Sequence, residues 1–145
     1  MTIRSVFITG ASSGIGAAFA LHYANQGASL ALIGRRQNAL EQLCAQLPNA
    51  HLHKIYVLDV NDDVALNHAA HDFIQYAQVV NIVIASAGVS VGTLTEEPED
   101  LAVFKQVLMT NVAATVATFA PFIEHMRAHS HEHPCRLVGI ASVAG

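Results

Sequence analysis

Eight residues near the amino terminus, Thr9-Gly10-Ala11-Ser12-Ser13-Gly14-Ile15-Gly16, have the types and spacing of an anion cradle. They follow a short apolar run, Ser5 to Thr9, and open a stretch of helical spacing from Ile15 to Asn25. In that setting Gly10 permits a tight turn, Gly14 lets the backbone approach a pyrophosphate, and Gly16 lets the helix pack close to the strand. The start of the helix offers unpaired N–H groups and a partial positive charge to phosphates. The candidate contacts are Gly10, Ser12, Ser13, Gly14, Ile15 and Gly16. Glycines also build ordinary turns, so the weight rests on their placement between a first strand and a first helix. No Lys-Ser or Lys-Thr follows them, which argues against a nucleotide hydrolase.

Arg35 and Arg36 follow the second apolar run, Leu30 to Ile33, after Gly34, with no carboxylate before Glu41. A guanidinium fork suits a phosphate through paired hydrogen bonds. The plainer reading is a basic pair that solvates a helix start. His125 and His129 share a helical face at i, i+4, a spacing that can grip a metal. No matching ligand is evident elsewhere, and His131, His133 and Pro134 read as a polar helix end and solvent loop, so no metal site is assigned. Cys44 and Cys135 lie far apart without metal spacing and read as reduced thiols of a cytoplasmic protein.

The elements that must hold these groups follow from periodicity. Gly27 sits where a helix C-terminal glycine is expected. Leu40, Leu43, Cys44 and Leu47 have helical spacing, ended by Pro48-Asn49, and Leu52 to Leu58 reads as a third strand. Asn61 or Asp62 caps a helix whose apolar face is Val64, Ala65, Ala69 and Phe73. Val79 to Ala85 is the most apolar strand, and a loop from Gly88 to Glu97 leads to a long helix from about Pro98 to Ala128, kinked at Pro121. That helix is apolar on two sides: Phe104, Leu108, Val112, Thr115 and Phe119 form one stripe, and Val107, Ala114 and Ala117 lie opposite. Leu137 to Ala141 is a fifth strand. Strand–helix alternation with fully apolar strands predicts an α/β fold, a doubly wound parallel sheet in the order 3-2-1-4-5.

Composition bounds the alternatives. The chain has 145 residues, enough for one domain with a core. Apolar residues make up 52 % and charged residues 12 %, so much surface must be buried against a second layer or a partner. The net charge of −4 offers no electrostatic footprint for nucleic acid. No uninterrupted apolar stretch approaches the ~20 residues of a membrane-spanning helix. The glycines and hydroxyls from Thr9 to Gly16 break the only stretch that resembles a signal peptide.

The spacing T-G-x-x-x-G-x-G resembles the fingerprint of the short-chain dehydrogenase/reductase family, and further segments follow in family order. Asp59-Val60 stands where the family has its adenine-contacting Asp. Ala85-Ser86-Ala87-Gly88 stands where it usually has Asn-Asn-Ala-Gly. Asn111, in Thr110-Asn111-Val112, matches its active-site Asn, and Ser142, in Ile140-Ala141-Ser142-Val143-Ala144-Gly145, matches its catalytic Ser. The resemblance covers essentially the whole chain. It implies a Rossmann-type domain over 1–145 and hydride transfer between a nicotinamide cofactor and a small carbonyl or alcohol substrate. It also implies a homo-oligomer that buries the long helix. Asn111 and Ser142 are then the catalytic candidates, and Asp59, Val60, Ala87 and Gly88 join the cofactor contacts. With Arg35 and Arg36 after the second strand, where an acidic residue would serve NAD, NADP is the expected cofactor.

Two departures qualify that expectation. Ala85 and Ser86 replace two asparagines, which removes side-chain support for the sheet. The family's Tyr-x-x-x-Lys pair is absent: Tyr23, Tyr56 and Tyr76 are followed four positions on by Gly27, Val60 and Val80. The expectation is an N-terminal, cofactor-binding part that stops before the pair and the C-terminal strands and is inactive alone. The alternative is a catalytically inactive dinucleotide-binding module.

Overall fold

Strands built from Val, Ile, Leu, Phe and Ala have two apolar faces and must be covered on both. The structure, a computed structural model that describes residues 4–94 and 96–142, meets this demand with one parallel sheet between helical layers. Val143, Ala144 and Gly145, the end of the segment matched to the family's serine, lie outside the described residues. In chain order the elements are β1 (Ser5–Thr9), α1 (Gly14–Asn25), β2 (Ser29–Gly34), α2 (Gln37–Gln46), β3 (Lys54–Val57), α3 (Asp63–Ala77) and β4 (Ile82–Ala85). They are followed by α4 (Asp100–His129) and β5 (Arg136–Gly139). The sheet order is β3-β2-β1-β4-β5, as expected. Thr9 lies level with Ile33 on one side and Ala85 on the other. The chain reverses its direction of travel at β1, and the crevice above the carboxyl ends of β1 and β4 is the topological switch point.

Alternation along the strands divides the core. Val6, Ile8, Leu30, Leu32, Ile82 and Ile84 pack toward α1 and α2. Phe7, Ile33 and Val83 pack toward α3 and α4, with the Phe7 ring 4.8 Å from Phe122 and 5.9 Å from Phe73. Helix ends follow their capping chemistry. Gly27 has φ +82°, and the Gly27 and Ala28 N–H groups bond back to Ala24 and Tyr23 carbonyls at 2.9 and 3.1 Å, a Schellman closure. The Asp62 side chain accepts the Ala65 N–H at 3.0 Å and so caps α3.

Besides the strand ends, where β3 starts at Lys54 after a 3₁₀ turn over Ala50–Leu52 and β5 ends at Gly139, three elements differ from the sequence expectation. On α3 the buried face is Leu66, Ala69, Ala70 and Phe73, while Val64 is 70 % exposed. Val64 lies two residues before Leu66, about 200° around a helix, so the two cannot share a face. β4 begins at Ile82, and Val80 ahead of it donates its N–H to the His125 imidazole at 3.1 Å. Buried Asn81 braces the sheet: its Oδ1 accepts the Arg4 and Ser5 N–H groups at 2.8 and 3.2 Å, and its Nδ2 donates to the Pro134 carbonyl at 3.1 Å.

The third difference concerns α4. It has 30 residues, and an 18-residue window within it reaches a mean hydropathy of 1.4, long and apolar enough to cross a membrane by length and composition, although no uninterrupted apolar run in the sequence is that long. Scattered threonines, alanines and Asn111 break the run while lowering the average little. In the fold, Thr110, Ala114, Thr118, Phe122 and Met126, spaced by four, face the core. The Thr118 hydroxyl stays satisfied there by donating to the Ala114 carbonyl at 2.7 Å. The stripe of Phe104, Leu108 and Val112 faces outward. Pro121, which has no N–H, sits in a 3₁₀ turn, Ala120–Phe122, and a π turn spans Met109–Ala113.

The His125 contact makes stability depend on pH. Nε2 can accept the Val80 N–H only while the ring is neutral at that nitrogen. Burial, reinforced by the charge of His129, lowers the His125 pKa from its ordinary 6.5. The unfolded chain thus binds a proton more readily, so this contribution is complete above about pH 6.5 and is lost as the pH falls toward the folded value. Melting temperature should drop between about pH 7.5 and pH 5.5. His53, also lowered mainly by burial, acts in the same direction. His125→Gln, whose amide oxygen accepts the same N–H without titrating, should show a smaller drop. An equal drop in both proteins would show that His125 does not carry it.

Candidate functional site

The glycine turn, the ends of β2 and β3, the segment after β4 and one turn of α4 enclose a cavity of about 390 Å³ at the switch point. Gly10, Ser12, Ser13, Gly14 and Ile15 form one wall, and Arg35, Arg36, Asp59 and Val60 another. Ala87 and Gly88, with Val89 and Thr110, form the third. Of the residues expected at a cofactor, Gly16 alone is not in the lining.

The three glycines of the turn have separate reasons to be glycine. Gly10 has φ +67°, and a Cβ there would lie 2.7 Å from the Ala87 nitrogen. Gly16 has an ordinary φ, but a Cβ would run into the Gly10 carbonyl, so its role is close packing of α1 on β1. Gly14 has φ +56° with nothing within 4 Å of a Cβ position, which leaves open space in front of the helix start. Ser13 is the N-cap of α1 yet makes no side-chain capping bond, and no acidic residue lies in the first turn. The first N–H groups of α1 thus meet the cavity with their partial positive charge uncompensated by a carboxylate of that turn. This is the arrangement that fits a pyrophosphate.

Arg36 donates from Nη2 to the Ser12 hydroxyl at 3.2 Å, tying the basic pair to the glycine turn. Arg35 reaches the Asp59 carboxylate at 3.9 Å; both side chains are well exposed, so the pair adds little stability and leaves the guanidinium available.

The departure at Ala85 and Ser86 does not leave the sheet unsupported. The buried Thr9 hydroxyl accepts the Ser86 and Ala87 N–H groups at 3.2 and 3.3 Å, and Asn81 braces the opposite end. Only contacts between distant segments reveal this substitute: Thr9 and Asn81 look like ordinary strand-end residues in sequence.

Neither Asn111 nor Ser142 lines the cavity, although their neighbours Thr110 and Ile140 do. Asn111 lies in the π turn and pairs with the backbone of Val89 twice. Its Oδ1 accepts the Val89 N–H and its Nδ2 donates to the Val89 carbonyl, each at 2.8 Å. This satisfies the amide on an apolar helix and fixes the segment after β4. Ser142 is exposed beyond β5, two residues after Ile140, whose N–H bonds to the Ala85 carbonyl at 3.0 Å. The His125–His129 pair is used structurally: His125 takes the Val80 N–H, and His129 bonds the His125 carbonyl at 2.7 Å.

A model of the short chain dehydrogenase family matches residues 4–145, and the chain belongs to that family. Dehydrogenase/reductase SDR family member 7B of Xenopus tropicalis is 34 % identical over 152 residues, which cover 97 % of this chain and 46 % of that protein. Among solved structures, the 3-ketoacyl-(acyl-carrier-protein) reductase from Brucella melitensis complexed with NADH superposes with a TM-score of 0.83 at 22 % identity. The match covers 96 % of this chain and 57 % of that one. ElxO with NADP bound gives 0.81 at 24 % identity, covering 97 % and 56 %. The chain spans about half the length of these relatives.

The glycines should separate experimentally. Gly14→Ala is expected to cost about 1–2 kcal/mol, the left-handed strain alone. Gly10→Ala should cost at least about 3 kcal/mol, because overlap with the Ala87 backbone adds to the same strain. Urea unfolding of both variants measures the difference, and equal costs would contradict the close approach.

Proposed function

We propose that this chain forms the NADP(H)-binding part of an oxidoreductase that moves a hydride between the nicotinamide and a carbonyl or alcohol carbon. The observation that carries the reading is the open cradle at Gly14, facing the same cavity as Arg35 and Arg36. The first turn of α1 takes the pyrophosphate through its N–H groups. Asp59 and Val60 meet the base end, and Ala87 and Gly88 run beside the nicotinamide half. Asn111 keeps that segment in place through Val89, and Ser142, by its family match, hydrogen-bonds the substrate oxygen. The bound nucleotide supplies or accepts the hydride. The substrate is a small molecule rather than a nucleic acid, and the outward stripe of α4, with Val112 57 % and Val116 64 % exposed, is the surface a homo-oligomer would cover.

Structural neighbours carry NADH in one case and NADP in another, which supports a nicotinamide nucleotide. The choice of NADP rests on the arginines. A charge-assisted phosphate contact contributes about 1.5–3 kcal/mol, so NADPH should bind roughly ten- to a hundredfold more tightly than NADH. Arg35→Ala and Arg36→Ala should each reduce that ratio. Calorimetry on the wild type and both variants tests this, and equal wild-type affinities would refute the preference.

Binding without turnover is expected of the 145-residue chain. It contains no Tyr-x-x-x-Lys, and Tyr56 is no substitute. Tyr56 donates its hydroxyl to Asp72 at 2.5 Å, and burial together with that carboxylate pushes its pKa up, away from a useful acid or base. Steady-state assays with NADPH and a panel of ketones and aldehydes should give rates far below the ordinary range of about 1–10³ per second. A rate within that range, from a chain of verified mass, would overturn the expectation.

A further inference from the structure

Between β3 and α3 the chain turns through Asp59, Val60, Asn61 and Asp62, closed by the Asp62 N–H on the Asp59 carbonyl at 3.0 Å. One oxygen of Asp59 is held twice by one residue. Its Oδ1 accepts the Asn61 backbone N–H at 2.9 Å and the Asn61 side-chain Nδ2 at 3.0 Å. The same Nδ2 lies 3.1 Å from the Thr110 hydroxyl, which stands 3.4 Å from the Asn61 Oδ1. Thr110 is 6 % exposed, belongs to the π turn of α4, and also receives Gln106 Nε2 at 3.2 Å. A hydrogen-bonded chain thus runs from the base end of the cavity to the residue beside Asn111. Asp59, Asn61, Thr110 and Gln106 all line the cavity.

The consequence is directional. An unrestrained carboxylate rotates and offers either oxygen. With Oδ1 bound to two donors, Oδ2, which carries only the looser contact to the Arg35 guanidinium at 3.9 Å, is the oxygen an incoming group can take. An acceptor fixed before the ligand arrives loses little freedom on binding. The fixing residue is itself located by a buried hydroxyl on a different element, so the register of α4 against the β3–α3 turn sets where Asp59 points.

We propose that Asn61 is a positioning residue for nucleotide recognition: it fixes Asp59 and, through Thr110, registers that carboxylate against the turn of α4 that carries Asn111. The proposal rests on the reading that Asp59 meets the base of a nicotinamide nucleotide. A base with an exocyclic amine donates to Oδ2, whereas a base with a carbonyl there places acceptor against acceptor.

The test is the ratio of affinities for NADPH and its hypoxanthine analogue, measured by calorimetry on the 145-residue chain. The wild type should favour NADPH by about tenfold. Asn61→Ala should bring the ratio below about threefold, and Thr110→Val should lower it in the same direction. Should Asn61→Ala not fold, Asn61→Ser keeps the turn propensity, loses the amide donors and carries the same expectation. A merely structural role would weaken both nucleotides together and leave the ratio alone. An unchanged ratio in the folded Asn61 variant overturns the proposal, and an unchanged ratio in Thr110→Val overturns the link to α4. A wild-type ratio near one shows that Asp59 does not read the base, which overturns the proposal while NADPH binding stands. A wild type that binds neither nucleotide overturns the functional reading itself.

Discussion

Backbone crowding at the carboxyl end of β1 governs the rest of the molecule. Gly10 lies so close to Ala87 that no Cβ fits between them, and Gly16 lies closer still to Gly10. The end of β4, the turn after β1 and the first turn of α1 therefore converge on a single residue. The convergence aims the α1 N-terminus across the crevice rather than into the sheet. The Thr9 hydroxyl completes it by accepting the two amides that follow β4. Those N–H groups would otherwise be orphaned where the strand ladder ends. The open space in front of Gly14 is the remainder left after these close contacts are made.

Helix α4 is the second determinant, and its irregular turn matters. An α-helix presents one residue in three or four to a given face. Within the π turn over Met109–Ala113, Thr110 is buried against the β3–α3 turn and Asn111 reaches out to Val89. Adjacent residues, about 100° apart on the helix, thus reach two different segments of the crevice. The fit is tight: a Cβ at Gly88 would lie 3.3 Å from the Asn111 Oδ1. π turns often occur at functional sites because they re-aim side chains in this way.

Polar groups in the core follow the same economy. Asn81, Thr9 and Thr118 are each buried and each bonded to backbone groups that the regular elements leave unpaired or can share. Buried amides and hydroxyls are tolerated where such partners exist. This explains how the sheet stays joined with Ala85 and Ser86 after β4. The bracing moved to residues on β1 and just ahead of β4.

The sequence by itself determined the order of strands and helices, the parallel sheet, the glycine cradle, a cap for α3 at Asn61 or Asp62, and the Gly27 closure. Each depends on local periodicity, on φ preferences or on side chains bonding within a few residues of their own position. Most of the cavity lining was legible for the same reason: Gly10, Ser12, Ser13, Gly14, Ile15, Arg35, Arg36, Asp59, Val60, Ala87 and Gly88 end strands or start helices, and a doubly wound sheet gathers those ends at one crevice. Only the tertiary structure decided which of two apolar faces of α4 enters the core, because both faces carry similar side chains and period alone cannot choose between them. It likewise decided the brace at Asn81, the Thr9 hydroxyl on Ser86 and Ala87, and the link from Asp59 through Asn61 to Thr110. Asn81 lies 77 residues from Arg4, and Asn61 lies 49 from Thr110. Contacts across such separations exist only after the sheet has formed and the helices have packed on it.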